Sequence, residues 1–506
     1  MDPIILKSFI GEIFLSLTLL FLLVINSLIL NVTKYNFPII DKEILSQLIF
    51  SLICVLFLLL NNSIEGFFSY YLFVNNFSIK IVKISIVFIS IFLLFPISTG
   101  FRSQKLNFFE YFIIFLFSLF STLLLVSASD FLSIYLSIEL QSLSFFILAS
   151  FRRNSVFSSE AGLKYFILGS FISGILLLGC SLIFGGLGTL NLINLNMLLS
   201  FPFLNEFNFY YNFILFGMCC LIVVFLFKIG SAPFHFWMPD VYEGSPLSST
   251  IIFSILPKFA IFFLFLKLLA ITDQFIEIKY ILIFSGILST LVGSFFALRQ
   301  KRVKRLVIYS SIAQMGFLVS ACSINSLDSI TSIYFFLFIY ILTSFLLWSF
   351  ISLIFNFNNE ILSFNKSNEN ASMFLTSLSS FFNINKAWAF SILIVFFSFG
   401  GIPPLVGFFA KVFIFFSLIN YGYIYSSLIL LIISIISVFY YIRVIKIIFF
   451  EKLDVNKISS FQIMFNTHNF EIECLFFSFF SFLLIFLFFF PSNLLLLTNL
   501  ISLYFF

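Results

Sequence analysis

The chain has 506 residues, of which 61% are hydrophobic and only 9% charged. A soluble domain is about one quarter charged, which excludes a water-soluble enzyme. An excess of 26 basic over 21 acidic residues does not suggest nucleic-acid binding. Mean hydropathy is +1.18, and many apolar runs exceed the roughly 18 residues that mark a membrane-crossing helix. The fold class is therefore an all-α polytopic membrane protein. A membrane β-barrel would show alternating segments of about ten residues, and none is visible.

The apolar runs predict about fourteen transmembrane helices, numbered 1 to 14, at 9–31, 44–62, 79–98, 109–128, 130–150, 161–187, 211–231, 247–271, 279–298, 303–322, 330–356, 387–417, 423–449 and 473–500. Phe fills 85 positions without a period, which reads as the codon bias of an AT-rich, organelle-like genome. Cys54, Cys180, Cys219, Cys220, Cys322 and Cys474 form no CxxC pair and read as small core residues. The first apolar run is of full span length and lacks the basic flank of a cleavable signal.

Loop cations set the orientation. Loops after odd-numbered spans hold Arg102, Lys105, Arg152, Arg153, Arg299, Lys301, Arg302, Lys304, Arg305, Lys452 and Lys457. Loops after even-numbered spans are poor in cations, with Lys80 and Lys83 the main exception. The odd loops are thus expected on the negative, matrix-like side, with both termini on the other. The basic run 299–305 serves mainly as a topology signal, and it also suits anionic lipid heads such as cardiolipin.

Two spans are interrupted by Gly and Pro. FKIGSAPFHFWMPD closes span 7 (227–240), and SFGGIPPLVGFFAK lies inside span 12 (398–411). Backbone groups freed by such breaks must face protein or water. Matching breaks in two halves point to a transporter built of repeats. Spans 4–8 and 9–13 form two sets of five, each with its fourth helix broken. Five is odd, so the second set is inverted relative to the first. This divides the chain into 1–104, 105–272, 273–450 and 451–506.

Ionisable residues inside apolar spans persist where they are paired, hydrated or used. Glu139, Lys164, Lys228, Lys258 and Lys411 are the candidates, with His235 beside the first break. A Glu near a buried Lys holds it charged, and separating the two favours release of the proton. This is the chemistry of a proton relay. Lys164 has a bland alternative, an i,i+4 pair with Glu160. Gln314 and Ser310 suit a hydrated path or helix packing. Asp130 reads as a helix N-cap, Glu12 as interfacial, Lys267 as a snorkelling end residue, and His468 as a solvent-exposed loop residue. No Walker A, GxGxxG or CxxC cluster occurs, so no nucleotide, flavin or iron–sulfur site is expected, and no metal site.

DFLSIYLSIELQSL, EAGLKYFILGSFISGILLLGCSLI, FKIGSAPFHFWMPDVYEGSP, KRVKRLVIYSSIAQMGF, FGGIPPLVGFFAK and FYYIRVIKIIFF, in this order over about 105–450, resemble the chain 2 family of respiratory complex I (NADH:ubiquinone oxidoreductase). The wording is similar to mitochondrially encoded plant or algal versions. The resemblance implies an antiporter-like, proton-translocating subunit of the membrane arm in the mitochondrial inner membrane. Its partners would be the other membrane-arm and peripheral subunits, which would carry NADH, FMN, the iron–sulfur clusters and quinone. It also implies that Glu139 and Lys228 are the charged pair, Lys258 the central lysine and Lys411 the outlet lysine, with Lys164 and His235 further along the axis. The polar stretch 357–386 departs from the family pattern and has no assigned role. Two other classes stay open: a stand-alone cation/proton antiporter and a structural scaffold.

Overall fold

The structure is a computed structural model. It describes residues 7–32, 41–62, 66–68, 72–104, 109–199, 208–364, 374–379, 382, 386–451 and 471–503. Among them it is nearly all helical, with eighteen α-helices. The first three are α1 (Ile10–Val32), α2 (Asp41–Asn61) and α3 (Phe77–Gln104). A small antiparallel hairpin, β1 (Gly66–Phe68) with β2 (Phe73–Asn75), precedes α3 and was not anticipated.

The first set of five contains α4 (Phe109–Ser127), α5 (Phe131–Ala149), α6 (Val156–Leu187), the short α7 (Leu192–Leu199), α8 (Asn208–Ile229), the short α9 (Trp237–Gly244) and α10 (Leu247–Ile271). The second contains α11 (Ile276–Arg299), α12 (Val303–Ala321), α13 (Leu327–Phe364), α14 (Lys386–Gly400), α15 (Val406–Asn420) and α16 (Ile424–Phe450). α17 (Glu471–Phe489) and α18 (Pro491–Leu503) close the chain. Every expected span falls on helix, and among the described residues ten helices are long and apolar enough to cross a membrane, or eleven with a bent pair counted as one; one expectation is corrected. The last span is two helices bent by 85°. Pro491, which has no N–H and clashes with a preceding turn, starts a new helix instead of extending α17.

Asp130 is the expected N-cap: its side chain accepts from the Leu132 N–H at 3.2 Å, and Ser133 completes a capping box. α10 forms the centre of the bundle, with 94% of its apolar window buried. α13 packs on α10, and 83% of its window is buried. Cys180 and Cys322 are buried, Cys54, Cys219 and Cys220 half-buried, and all five are free. His468, Lys452, Lys457 and much of the 357–386 stretch lie outside the described residues.

Candidate functional site

The two breaks are built alike. α8 ends at Gly230, whose φ is +79°, and α14 at Gly401, with φ of +74°. At each the glycine N–H and the next N–H fold back onto the last turn. Gly230 N donates to Phe227 O and Ser231 N to Leu226 O, both at 3.0 Å. Gly401 N donates to Ser398 O and Ile402 N to Phe397 O, both at 3.1 Å. This is the Schellman pattern, which needs a left-handed residue that glycine supplies without a Cβ penalty. A proline follows each glycine by three positions, at Pro233 and Pro404.

Such breaks free carbonyls that polar side chains must satisfy. Trp237 Nε1 donates to Phe227 O (3.0 Å) and Ser231 Oγ to Leu226 O (3.1 Å). At the second break, Lys411 Nζ donates to Gly400 O (2.7 Å) and Gln314 Nε2 to Phe399 O (3.1 Å). A Cβ at Gly401 would stand 2.8 Å from Lys411 Cδ. The glycine therefore also makes room for the lysine stem.

Lys228, in the last turn of α8, and Lys258, beside Pro257 in α10, line one cavity together with Gln141, Tyr165, Trp237 and Tyr242. Gln141 Nε2 is buried there with no partner among the described residues. Glu139 on α5 acts electrostatically on Lys228, yet no ion pair joins them among the described residues. Lys258 is 2% exposed and donates to Tyr340 Oη at 2.6 Å, with its Nζ 4.7 Å from that ring.

From Tyr340 the polar contacts continue toward the second break. Ser311, on α12, lies near Tyr340. On the same helix Gln314 Nε2 donates to the Tyr441 hydroxyl at 3.4 Å. Gln314 also reaches Phe399 O, one residue from the carbonyl that holds Lys411. Lys411 is 5% exposed, with its Nζ 5.4 Å from the Phe317 ring. The half-buried Lys228 and the buried Lys258 and Lys411 thus stand among polar groups contributed by both sets of helices. Tyr340, Tyr441 and Gln141 belong to these groups and were missed in the sequence. A tyrosine inside an apolar run counts as apolar, and no spacing marks its hydroxyl.

Two candidates stand apart. Lys164 is exposed on α6 and bonds Glu160 Oε1 (2.9 Å), the anticipated i,i+4 pair, and also Asp240 Oδ2 (3.2 Å) on α9. Asp240 lies 3.8 Å from Arg305, and Glu243 pairs with both Arg302 and Arg305. Lys304 Nζ donates to Ser245 O (3.3 Å). Much of the basic run is therefore occupied in tying α12 to α9, leaving Arg299 and Lys301 exposed. His235 is buried in the turn before α9, beside the Pro233 backbone and 4.4 Å from the Phe236 ring.

Two end-of-span residues depart from expectation. Glu12, in the first turn of α1, is covered by protein: it is 3% exposed and pairs with Lys83, which is fully buried. Each charge compensates the other where neither meets water. Lys267 does not snorkel freely. It is half-buried, donates to Val126 O at 3.0 Å and lies 4.7 Å from the Phe263 ring.

The family described as NADH:quinone oxidoreductase/Mrp antiporter, TM, matches residues 128–439. A Marchantia polymorpha protein named NADH-ubiquinone oxidoreductase chain 2 is 38% identical over 351 residues, covering 69% of each chain. The chain belongs to this family. A Pelagibacter ubique protein named NADH-quinone oxidoreductase subunit N is 34% identical over 454 residues, 88% of this chain and 90% of that one. Among solved structures, a chain of Thermus thermophilus respiratory complex I with bound aureothin aligns with a TM-score of 0.71. It shares 23% identity and covers 96% of this chain and 98% of that one. A chain of the Mrp complex from Dietzia sp. gives 0.76 at 16% identity, covering 98% and 97%. At these identities the likeness is one of fold. The family match contains all six predicted relay residues, while Glu12 and Lys83 precede it.

Proposed function

We propose that this chain carries one proton-translocating unit in the membrane arm of a respiratory NADH:quinone oxidoreductase, with residues 105–272 and 273–450 as its two inverted halves. The supporting observation is the set of three lysines in the helix interior, Lys258 and Lys411 buried and Lys228 half-buried, with Lys258 bonded to Tyr340, Lys411 to the Gly400 carbonyl of the second break and Gln314 to the neighbouring Phe399 carbonyl. Protons are taken up from the odd-loop side near α8 and α9. They pass Lys228, which Glu139 holds charged until the two separate, then Lys258 and Lys411, and leave beside α15. Lys164 and His235 act at the margin of this line, Lys164 through Asp240 at the uptake side.

The oxidant and reductant, with NADH, FMN, iron–sulfur clusters and quinone, belong to partner subunits. The membrane is the mitochondrial inner membrane, with both termini on the intermembrane side. The Phe-rich composition and the Marchantia relative support this placement. Arg299 and Lys301 hold anionic lipid heads, cardiolipin among them.

Two measurements test this reading. On a native gel of mildly solubilised membranes, the chain should co-migrate with a large NADH-oxidising complex. Migration alone, with cation/proton exchange by the isolated chain in liposomes, would establish a stand-alone antiporter instead. In the assembled complex, Lys228→Met should lower proton release per NADH oxidised. Unaltered release from an assembled Lys228→Met complex refutes the relay.

A further inference from the structure

The first helices carry an apolar groove remote from both breaks. It opens between α1 and α2, encloses about 550 Å³ and is lined by apolar side chains and the Cys54 thiol, with no charged group. The lining falls between Ile10 and Leu17 on α1 and between Ile53 and Leu58 on α2. Beside it the two helices approach closely at Gly11, where a Cβ would stand 3.0 Å from Leu59 Cδ2. Leu17 and Phe57, one on each wall, are 59% and 62% exposed, so the groove faces outward.

Two cations stand at one end of it. Asn62, just past α2, donates through Nδ2 to Lys7 O at 2.7 Å and to Ser8 O at 3.0 Å. These bonds fix the exposed Lys7 beside the end of α2. Lys80, at the start of α3, donates to Leu60 O at 3.1 Å, two residues beyond Leu58. An ammonium has three donors, so that bond leaves two. Glu12, the acidic residue in the first turn of α1, is buried against Lys83 and compensated by it. It does not oppose an anion here. Lys80 and Lys83 are also the exceptions among the cation-poor even-numbered loops. Glu12 accounts for Lys83, and orientation does not account for Lys80.

We propose that this groove seats an acyl chain of an anionic phospholipid whose phosphate is held by Lys7 and Lys80. The dimensions favour a lipid over a helix of a partner subunit. Ile10 and Leu17 are seven residues apart, about 10.5 Å along the axis. The hydrocarbon core is about 30 Å thick, about 15 Å for each leaflet. The groove therefore stays within one leaflet, which is the reach of one lipid. A crossing helix would lie against α1 and α2 through both leaflets. The two lysines at the groove end select the head group, because juxtamembrane lysines attract anionic lipids. The site is distinct from Arg299 and Lys301, which follow an odd-numbered span, and it does not depend on proton translocation.

The test reconstitutes the assembly containing this chain, purified from its membrane, into phosphatidylcholine vesicles. The vesicles carry either phosphatidylglycerol or phosphatidylcholine with a photoactivatable diazirine in its acyl chain. After illumination, label on the α2 segment Ile53–Leu58 is read by peptide mass spectrometry. The phosphatidylglycerol probe should label this segment more than the phosphatidylcholine probe. That ratio should fall about fivefold for each lysine removed in Lys7→Gln and Lys80→Gln. Leu17→Trp, which fills the groove and keeps both lysines, should lower phosphatidylglycerol labelling as well. Equal labelling by the two probes overturns the proposal, because the groove then meets only bulk lipid. A preference that survives loss of both lysines, or filling of the groove, overturns it too. Absence of label from either probe shows that protein covers the groove and overturns it in favour of a partner helix. Where a variant does not assemble, the two probes on the unaltered assembly decide.

Discussion

Gly401 offers a perturbation with its own control. Replacing it by Ala imposes two costs. The first is the left-handed backbone at φ +74°, about 1–2 kcal/mol for a residue with a Cβ. The second is steric: the new methyl stands 2.8 Å from Lys411 Cδ and 3.2 Å from its Nζ. Relieving that contact draws the ammonium off Gly400 O and forfeits a charged hydrogen bond of about 1.5–3 kcal/mol. Gly188, at the end of α6, has nearly the same φ of +72° but open space around its Cβ position. Gly188→Ala should therefore cost only the backbone part, about 1–2 kcal/mol, and leave pumping intact. Gly401→Ala should cost about 2.5–5 kcal/mol in all and lower proton release per NADH as well. The assay heats the solubilised complex stepwise before a native gel and measures proton release on unheated vesicles. Equal heat sensitivity and equal pumping in the two variants would refute the claim that this glycine exists to seat the lysine.

Three further perturbations separate structural from relay roles. Tyr340→Phe keeps the ring beneath Lys258 and removes its 2.6 Å hydrogen bond; the complex should assemble with proton release reduced, and normal release would remove Tyr340 from the path. Glu243→Gln frees Arg302 and Arg305, whose side chains are 44% and 38% exposed and so regain water; heat stability should fall by no more than about 1 kcal/mol, and a much larger loss would show that the pairs clamp α9. Asp130→Ala removes the cap of the helix that carries Glu139 and should cost about 1 kcal/mol in the same heating assay. Restoration by Asp130→Asn should follow, since either side chain caps.

The parts of the site legible in the sequence were those whose chemistry conflicts with their surroundings. Lys258 in an apolar run, and Gly-Pro breaks inside spans, cost free energy in a membrane and so announce a reason for being there. The break at Gly230 was visible for the same reason as that at Gly401, and the structure shows one hydrogen-bond pattern behind both. The tyrosines were hidden because Tyr340 and Tyr441 fit an apolar helix as well as phenylalanine does. Glu12 and Lys83 were hidden by distance: 71 residues separate them, and each sits near a span end where a charge ordinarily meets water. The bend at Pro491 was misread because hydropathy is continuous across it, although the proline itself was the signal. Lys164 was legible as an i,i+4 pair, but its bond to Asp240 needed the fold that returns α9 to α6.

The burial of α10 has a consequence for biogenesis. A ribosome delivers helices in order, and α10 reaches the membrane before α13, which supplies its cover. Tyr340, the hydrogen-bond partner of Lys258, follows it by 82 residues. During that interval the nascent chain holds a lysine in mid-membrane without its acceptor. The insertion machinery must shelter α10 until the second half of the chain arrives.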